Sequence, residues 1–210
     1  MSGLETDKVY YHDTMLRGGL LEITHTDTAV FTEGERYQSM IHAAGYTPDI
    51  MNIAHVIHDV HVREGIPTAG EQLAREVADK HGVYYMANYV PGPTEVRETL
   101  AAGYAYIDHE QQTPDILRIT DLEIITDMGT EHNHWVAAAL LTTILVDYPE
   151  QETVRVDSRV GVPETRSPDF FTDHGFMIEQ TWGTDGAYAQ GQRDMILHSF
   201  SQQYNLQMHA

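Results

Sequence analysis

Apolar positions along the chain change period several times, and each change marks an element. Leu20 to Phe31 alternates in part, with Leu21 and Ile23 set against Glu22 and Thr24, which predicts a strand or hairpin. Residues 1–18 before it read as a loose lead-in ending in Arg17-Gly18-Gly19. Tyr37, Met40, Ile41 and Ala44 have helical spacing, closed by Gly45. Ile50 to Val62 is rich in β-branched residues and predicts a strand. Ile66-Pro67-Thr68-Ala69 then opens a helix, with Leu73, Ala74, Val77 and Ala78 on one face and Gly82 as its stop. Val83 to Val90 predicts a strand. Pro91-Gly92-Pro93-Thr94 forms a turn and N-cap, and Val96, Leu100 and Ala101 share a face of a short helix ending at Gly103. Tyr104 to Ile107 returns as a strand.

The same order then recurs. Asp121 to Asp127 predicts a strand, and a polar turn, Met128 to His134, leads into a helix carrying Val136, Ala137, Leu140, Leu141, Ile144 and Leu145. Pro149 ends that helix. Thr153 to Val160 alternates, Val154 and Val156 against Arg155 and Asp157. Ser167-Pro168-Asp169 caps a short helix through Phe170, Phe171 and His174 to Gly175. Met177 to Trp182 and Arg193 to Phe200 predict strands, joined by a polar connection, Thr184 to Gln192, suited to a hairpin loop. Gly103-Tyr104 in the first copy matches Gly175-Phe176 in the second, an offset of roughly seventy residues that suggests two related α/β halves. The predicted class is α/β (α+β), with halves at 1–115 and 116–210.

Charge narrows the function. The 210 residues hold 12 Lys+Arg against 32 Asp+Glu, a formal net charge of −20. A nucleic-acid binder needs cations to displace phosphate counterions, and an anionic membrane face needs a basic patch, so both partners are excluded. The absence of cysteine removes disulfides, thiolate catalysis and Cys-type zinc sites. The start is acidic, with neither a cationic region nor an apolar one, and the longest apolar run, Trp135 to Leu141, is too short for a bilayer. A soluble cytoplasmic protein is expected.

Thirteen histidines leave metal chemistry open. His55-Val-Ile-His58-Asp59-Val-His61 offers imidazole and carboxylate together. On a strand, His55, Asp59 and His61 share one face while His58 points away; on a helix His55 would converge with His58 or Asp59, but the β-branched residues favour strand, and His132-Asn-His134 lacks a clear third ligand, so no metal site is expected. There is no Gly-x-Ser-x-Gly elbow, Walker loop or dinucleotide glycine fingerprint.

The order of elements from Leu122 to Phe200 resembles the C-terminal half of the GNAT acetyltransferase superfamily. Ser167-Pro-Asp-Phe-Phe-Thr-Asp-His-Gly-Phe176 looks like the family's short helix running into Gly-aromatic, and Pro91 to Tyr104 looks like a second instance. The resemblance implies a mixed, mostly antiparallel sheet flanked by helices, in a tandem arrangement. It implies an acyl-CoA-dependent N-acyltransferase, using acetyl-CoA on a small-molecule amine or peptide, and a homodimer is a further expectation. In the family the pyrophosphate rests on amides opening the long helix, in a loop reading Gln/Arg-x-x-Gly-x-Gly/Ala, where small residues let backbone approach phosphate. By that resemblance the cofactor-binding candidates are Arg63, Gly65, Thr68, Ala69 and Gly70 in the first copy, and Gly129, Thr130 and Asn133 in the second. The spacing departs from the family's in both: Arg63 plus three is Ile66, and the second loop lacks the glycine pair and carries Trp135.

The family's general-acid tyrosine corresponds to Thr99 and Phe171, and phenylalanine has no proton to give. His174 or water could substitute, and a strand carboxylate, Glu123 or Asp127, could act as base, so the catalytic residues stay unassigned. Coenzyme A is polyanionic, which directs attention to Arg63, Arg75, Arg155, Arg159 and Arg166. The alternative is a GNAT-like binding module that has lost turnover.

Overall fold

A computed structural model describes residues 9–13, 20–28, 48–63, 65, 69–90, 100–124, 129–158, 168–180, 187–204 and 206. Strand β1 is Val9–Asp13 and pairs antiparallel with β2, Leu20–Asp27, so the lead-in contains a strand. Helix α1, Pro48–Arg63, replaces the strand expected at Ile50 to Val62. The reason is spacing: Ile53, Ile57, Val60 and His61 are buried at helical intervals, and that stripe outweighs the local β-branched content. Helix α2, Gly70–Asp79, buries Leu73, Ala74, Val77 and Ala78, the face expected of it. Strands β3, Gly82–Val90, and β4, Leu100–Asp108, pair antiparallel. Leu100 and Ala101 therefore belong to a strand and not to a short helix, while the expected helix over 33–44 and the turn at 91–94 lie outside the described residues.

Next come β5, Ile116–Ile119, which the pattern did not predict, and β6, Asp121–Ile124. Helix α3, Thr130–Asp147, starts within the expected polar turn. Strand β7 is Thr153–Ser158, helix α4 Pro168–Asp173 and strand β8 Phe176–Gln180. The expected hairpin loop is a strand, β9, Ala187–Gln192, and the expected strand at Arg193 is a helix, α5, Arg193–Tyr204. Its buried residues, Ile196, Phe200 and Tyr204, recur every fourth position while His198 and Gln202 between them stay exposed, which a strand's two-residue period does not allow.

The strands make two sheets, β1-β2-β3-β4-β6 and β5-β7-β9-β8. They meet through residues 116–124, whose two ends belong to different sheets. β5 pairs parallel with β7, and β6 pairs antiparallel with β4. Between them Thr120 donates its amide to the Tyr106 carbonyl at 2.9 Å. Strict alternation would put Leu117, Ile119 and residue 121 on one face. Instead Leu122 joins Leu117 and Ile119 in the core against α3. Thr120 thus shifts the parity by one residue, as a bulge does, and turns Asp121 and Glu123 to the opposite face.

That opposite face is covered by α1 and α2, whose Ile53, Val60, Leu73 and Val77 pack on Tyr84, Met86, Tyr104 and Tyr106. Helix α3 covers the first face. It is apolar nearly all round because it sits between the sheet and α5. This core runs from Leu21 to Tyr204 and does not divide near residue 115. The matched glycines also differ. Gly103 lies inside β4, where a Cβ would stand 2.6 Å from the Glu123 carbonyl oxygen, whereas Gly175 follows α4 in a turn. The expectation of two related halves finds no support here.

Ile144 is fully buried in α3. Ile144→Ala is expected to lower unfolding stability by about 2–5 kcal/mol, read from urea midpoints, because the sheet and α5 cannot both close on the cavity.

Candidate active site

Glu123 follows directly from the parity shift. Opposite Tyr104 in register, it faces α1, where His61 lies one turn beyond Ile57 on the buried stripe. His61 Nε2 is 3.4 Å from Glu123 Oε2 and 3.5 Å from the Tyr104 hydroxyl. Both side chains of this pair are nearly sealed, His61 10% and Glu123 7% exposed. A buried carboxylate is costly unless partnered, so the three groups hold one another in place. Their arrangement can accept and store a proton.

A shallow pocket continues from His61 along the same face, walled by Ile57, Leu73, Tyr84 and Tyr104, with Asp121 and Lys80 at its far end. Lys80 Nζ is 3.5 Å from Asp121 and 4.5 Å from the centre of the Tyr106 ring. Lys80 is itself the cation that these acidic and aromatic walls hold.

Five residues separate β6 from helix α3. Gly129 caps it at φ +92°, a conformation that favours glycine, and a Cβ there would meet nothing within 4 Å. The first helical hydrogen bond runs from the Asn133 amide to the Gly129 carbonyl at 3.0 Å, so the amides of Thr130 and Glu131 precede it. No side chain caps this end from Gly129. Among the described residues, Asn133 Oδ1 and His134 Nε2 are buried without a hydrogen-bond partner. Trp135 does not fill the turn: it is buried, stacked on His132. The open backbone amides at this end fit a phosphate-bearing group, which the helix dipole attracts. Glu131 is the one carboxylate of the first turn.

The structure therefore separates the sequence candidates. Gly129, Thr130 and Asn133 come together at the start of α3. Gly65 and Ala69 lie between α1 and α2, and Gly70 opens α2, across the sheet from α3. Thr68 and the Arg63 side chain lie outside the described residues, as do Asp127, Thr99, Arg159 and Arg166. Arg75 is exposed on α2. The His55-Asp59-His61 grouping dissolves because the segment is helical: His55 and Asp59 are exposed while His61 is buried. Among the described residues no three His, Asp or Glu side chains gather as a metal site requires. None of the described helices is long and apolar enough to cross a membrane. Sequence reasoning missed the His61–Glu123 pairing. Its signal was a histidine on the stripe of Ile53, Ile57 and Val60, legible only once the segment is read as a helix.

Solved structures share this fold over nearly the whole chain. An uncharacterized protein from Bacillus halodurans has a TM-score of 0.57 at 12% identity, covering 92% of this chain and 94% of its own. FdhC, a nucleotide-linked sugar GNAT, has a TM-score of 0.52 at 12% identity, covering 95% and 98%. RimL, a ribosomal L7/L12 alpha-N-protein acetyltransferase, has a TM-score of 0.50 at 10% identity, covering 91% and 97%. The fold is that of the GNAT acetyltransferases. One such fold spans nearly the entire chain, so the tandem arrangement gains nothing from the comparison. No family model matches the sequence, and no curated protein is similar to it in sequence. At these identities the likeness to the GNAT structures concerns the fold alone.

Within this GNAT fold Phe171 is buried against Phe170 and Phe176, so its position carries no hydroxyl. His174 is also buried. Its Nδ1 is 2.8 Å from the Ser199 hydroxyl and its Nε2 3.0 Å from the Tyr204 hydroxyl. Burial lowers its pKa below the ordinary 6.5, against the pull of Asp173, so the ring is neutral. Burial likewise pushes Tyr204 up to about 12, keeping its proton. The folded chain resists protonating His174 while the unfolded chain takes that proton near pH 6.5. Its contribution is therefore complete above that pH and is lost as pH falls below it. The urea midpoint is expected to fall between about pH 7 and pH 5, and to fall less in His174→Phe.

Proposed function

We propose that this chain is an acyl-CoA-dependent N-acyltransferase acting on an amine. The observation that carries the reading is the buried Glu123–His61 pair, set on the strand that leads to the open start of α3. Gly129, Thr130 and Asn133 would hold the phosphates of acetyl-CoA, with backbone amides in place of cationic side chains. When bound, that group supplies an acyl carbon activated as a thioester.

The chain's own part is proton handling and orientation. Glu123 accepts a proton from the acceptor amine, which frees the nitrogen lone pair for attack. His61 and Tyr104 keep the carboxylate aimed and share the incoming proton's charge. Gly103 allows β4 to lie close to the backbone of Glu123, which fixes that strand. The departing thiolate takes its proton from water, since Phe171 has none to give and both ring nitrogens of His174 are engaged.

Phe171 favours a second reading, a binding module that holds acyl-CoA without turnover. A coupled assay of free thiol release, with acetyl-CoA and a panel of primary amines, separates the two. Turnover is expected, and Glu123→Gln is expected to lower kcat by about 10²–10⁴-fold with little change in the KM for acetyl-CoA. Binding of acetyl-CoA without thiol release from any amine would select the module.

A further inference from the structure

The second sheet leaves one face without a covering helix among the described residues. Val154 and Val156 of β7 enter the core, so Arg155 and Asp157 turn to the other side. Arg118 of β5 stands directly opposite Arg155 in register. Like charges facing each other on a sheet repel, and the arrangement needs compensation. Asp157 supplies part of it, accepting from Arg118 Nε at 2.5 Å and from Arg155 Nε at 2.7 Å. Two guanidinium groups thus share one carboxylate. Among the described residues their terminal amino groups have no partner. Both arginines are half-buried, 33% and 27% exposed, in a chain of net charge −20.

The pair is also rigid. The Arg155 guanidinium lies 3.7 Å from the centre of the Tyr188 ring, and the Tyr188 hydroxyl donates to Glu179 at 2.5 Å. Stacking fixes the plane of the fork, so little side-chain entropy remains to be lost when an anion docks. Glu179 is occupied by that tyrosine proton on the far side of the ring's own strand.

The parity shift at Thr120 decides what this cluster can serve. Arg118, Asp121 and Glu123 all face away from α3, on one side of a single stretch of chain. We propose that Arg118 and Arg155, set by Asp157 and Tyr188, form a subsite for a carboxylate carried by the acceptor molecule whose amine lies at Glu123. This rests on the acyltransferase reading. Five residues from Arg118 to Glu123 span about 16 Å of strand, and the guanidinium groups lean toward Asp157, which follows the residue paired with Ile119. An ω-amino acid or short peptide fits that separation, and an α-amino acid, with both groups on one carbon, does not.

The test compares 6-aminohexanoate with 6-aminohexanamide, equal in length and differing only in the carboxylate. The wild-type enzyme is expected to favour the acid by about tenfold or more in kcat/KM. The R118Q/R155Q double variant should lose that preference while keeping its rate on hexylamine and its KM for acetyl-CoA. The hexylamine rate also reports that the variant is folded. Equal kcat/KM for acid and amide in the wild type overturns the subsite. So does a raised KM for acetyl-CoA in the variant, which would assign the arginines to the donor's phosphates. If no amine is acylated, the acyltransferase reading fails on its own, and binding decides the subsite. Saturable shifts of the Arg118 and Arg155 Nε–H signals on adding 6-aminohexanoate, but not the amide, uphold it, and their absence rejects it.

Discussion

One extra residue in one strand carries the whole candidate site. Had the stretch 116–124 kept its alternation, Glu123 would point into the core beneath α3, among Leu117, Ile119 and the apolar face of that helix. A carboxylate there would meet no partner, and burying it alone would cost several kcal/mol. Thr120 takes up the extra residue by bonding to Tyr106 through both its amide and its hydroxyl. The same shift lets β5 and β6 pair with different neighbours, so the sheets part where β6 runs on toward α3. Proton acceptor, opening and helix start are consequences of a single local irregularity, and bulges are commonly placed beside sites for this reason.

Burial then gives the site its chemistry. His61, Tyr104 and Glu123 lie where water is nearly excluded, so their mutual interactions are stronger than they would be at the surface. The net charge of −20 acts in the same direction for a cationic acceptor and against an anionic donor. Backbone amides at the start of α3 offer a way round that conflict, because they carry partial positive charge without any lysine or arginine. Where cations do cluster, as at Arg118 and Arg155, a carboxylate and an aromatic ring hold them in fixed positions.

Much of the fold was legible where periodicity was strong. The apolar stripe of α2, the alternation of β7 and the short helix α4 all lie close to where the pattern puts them, and the GNAT resemblance holds at the level of the fold. Reading failed where two signals competed. The β-branched residues of α1 argued for strand while their spacing argued for helix, and burial against Tyr104 and Tyr106 decided for the helix. In α5 the short run Met195-Ile196-Leu197 looks the same in either state, and only Phe200 and Tyr204, with polar His198 and Gln202 between them, reveal the period. β9 is polar and contains Gly191, so nothing local distinguishes it from a loop. The candidate site was half legible: Gly129 marks the start of α3, but the pairing of His61 with Glu123 depends on a parity shift that no local pattern announces.

The most direct measurement is a crystal structure of the chain with coenzyme A. The account predicts density against Gly129, Thr130 and Asn133, running between β6 and β7 toward Glu123. Coenzyme A bound instead along the loop from Arg63 to Gly70, or crystals grown at saturating ligand with no density beside α3, would contradict it.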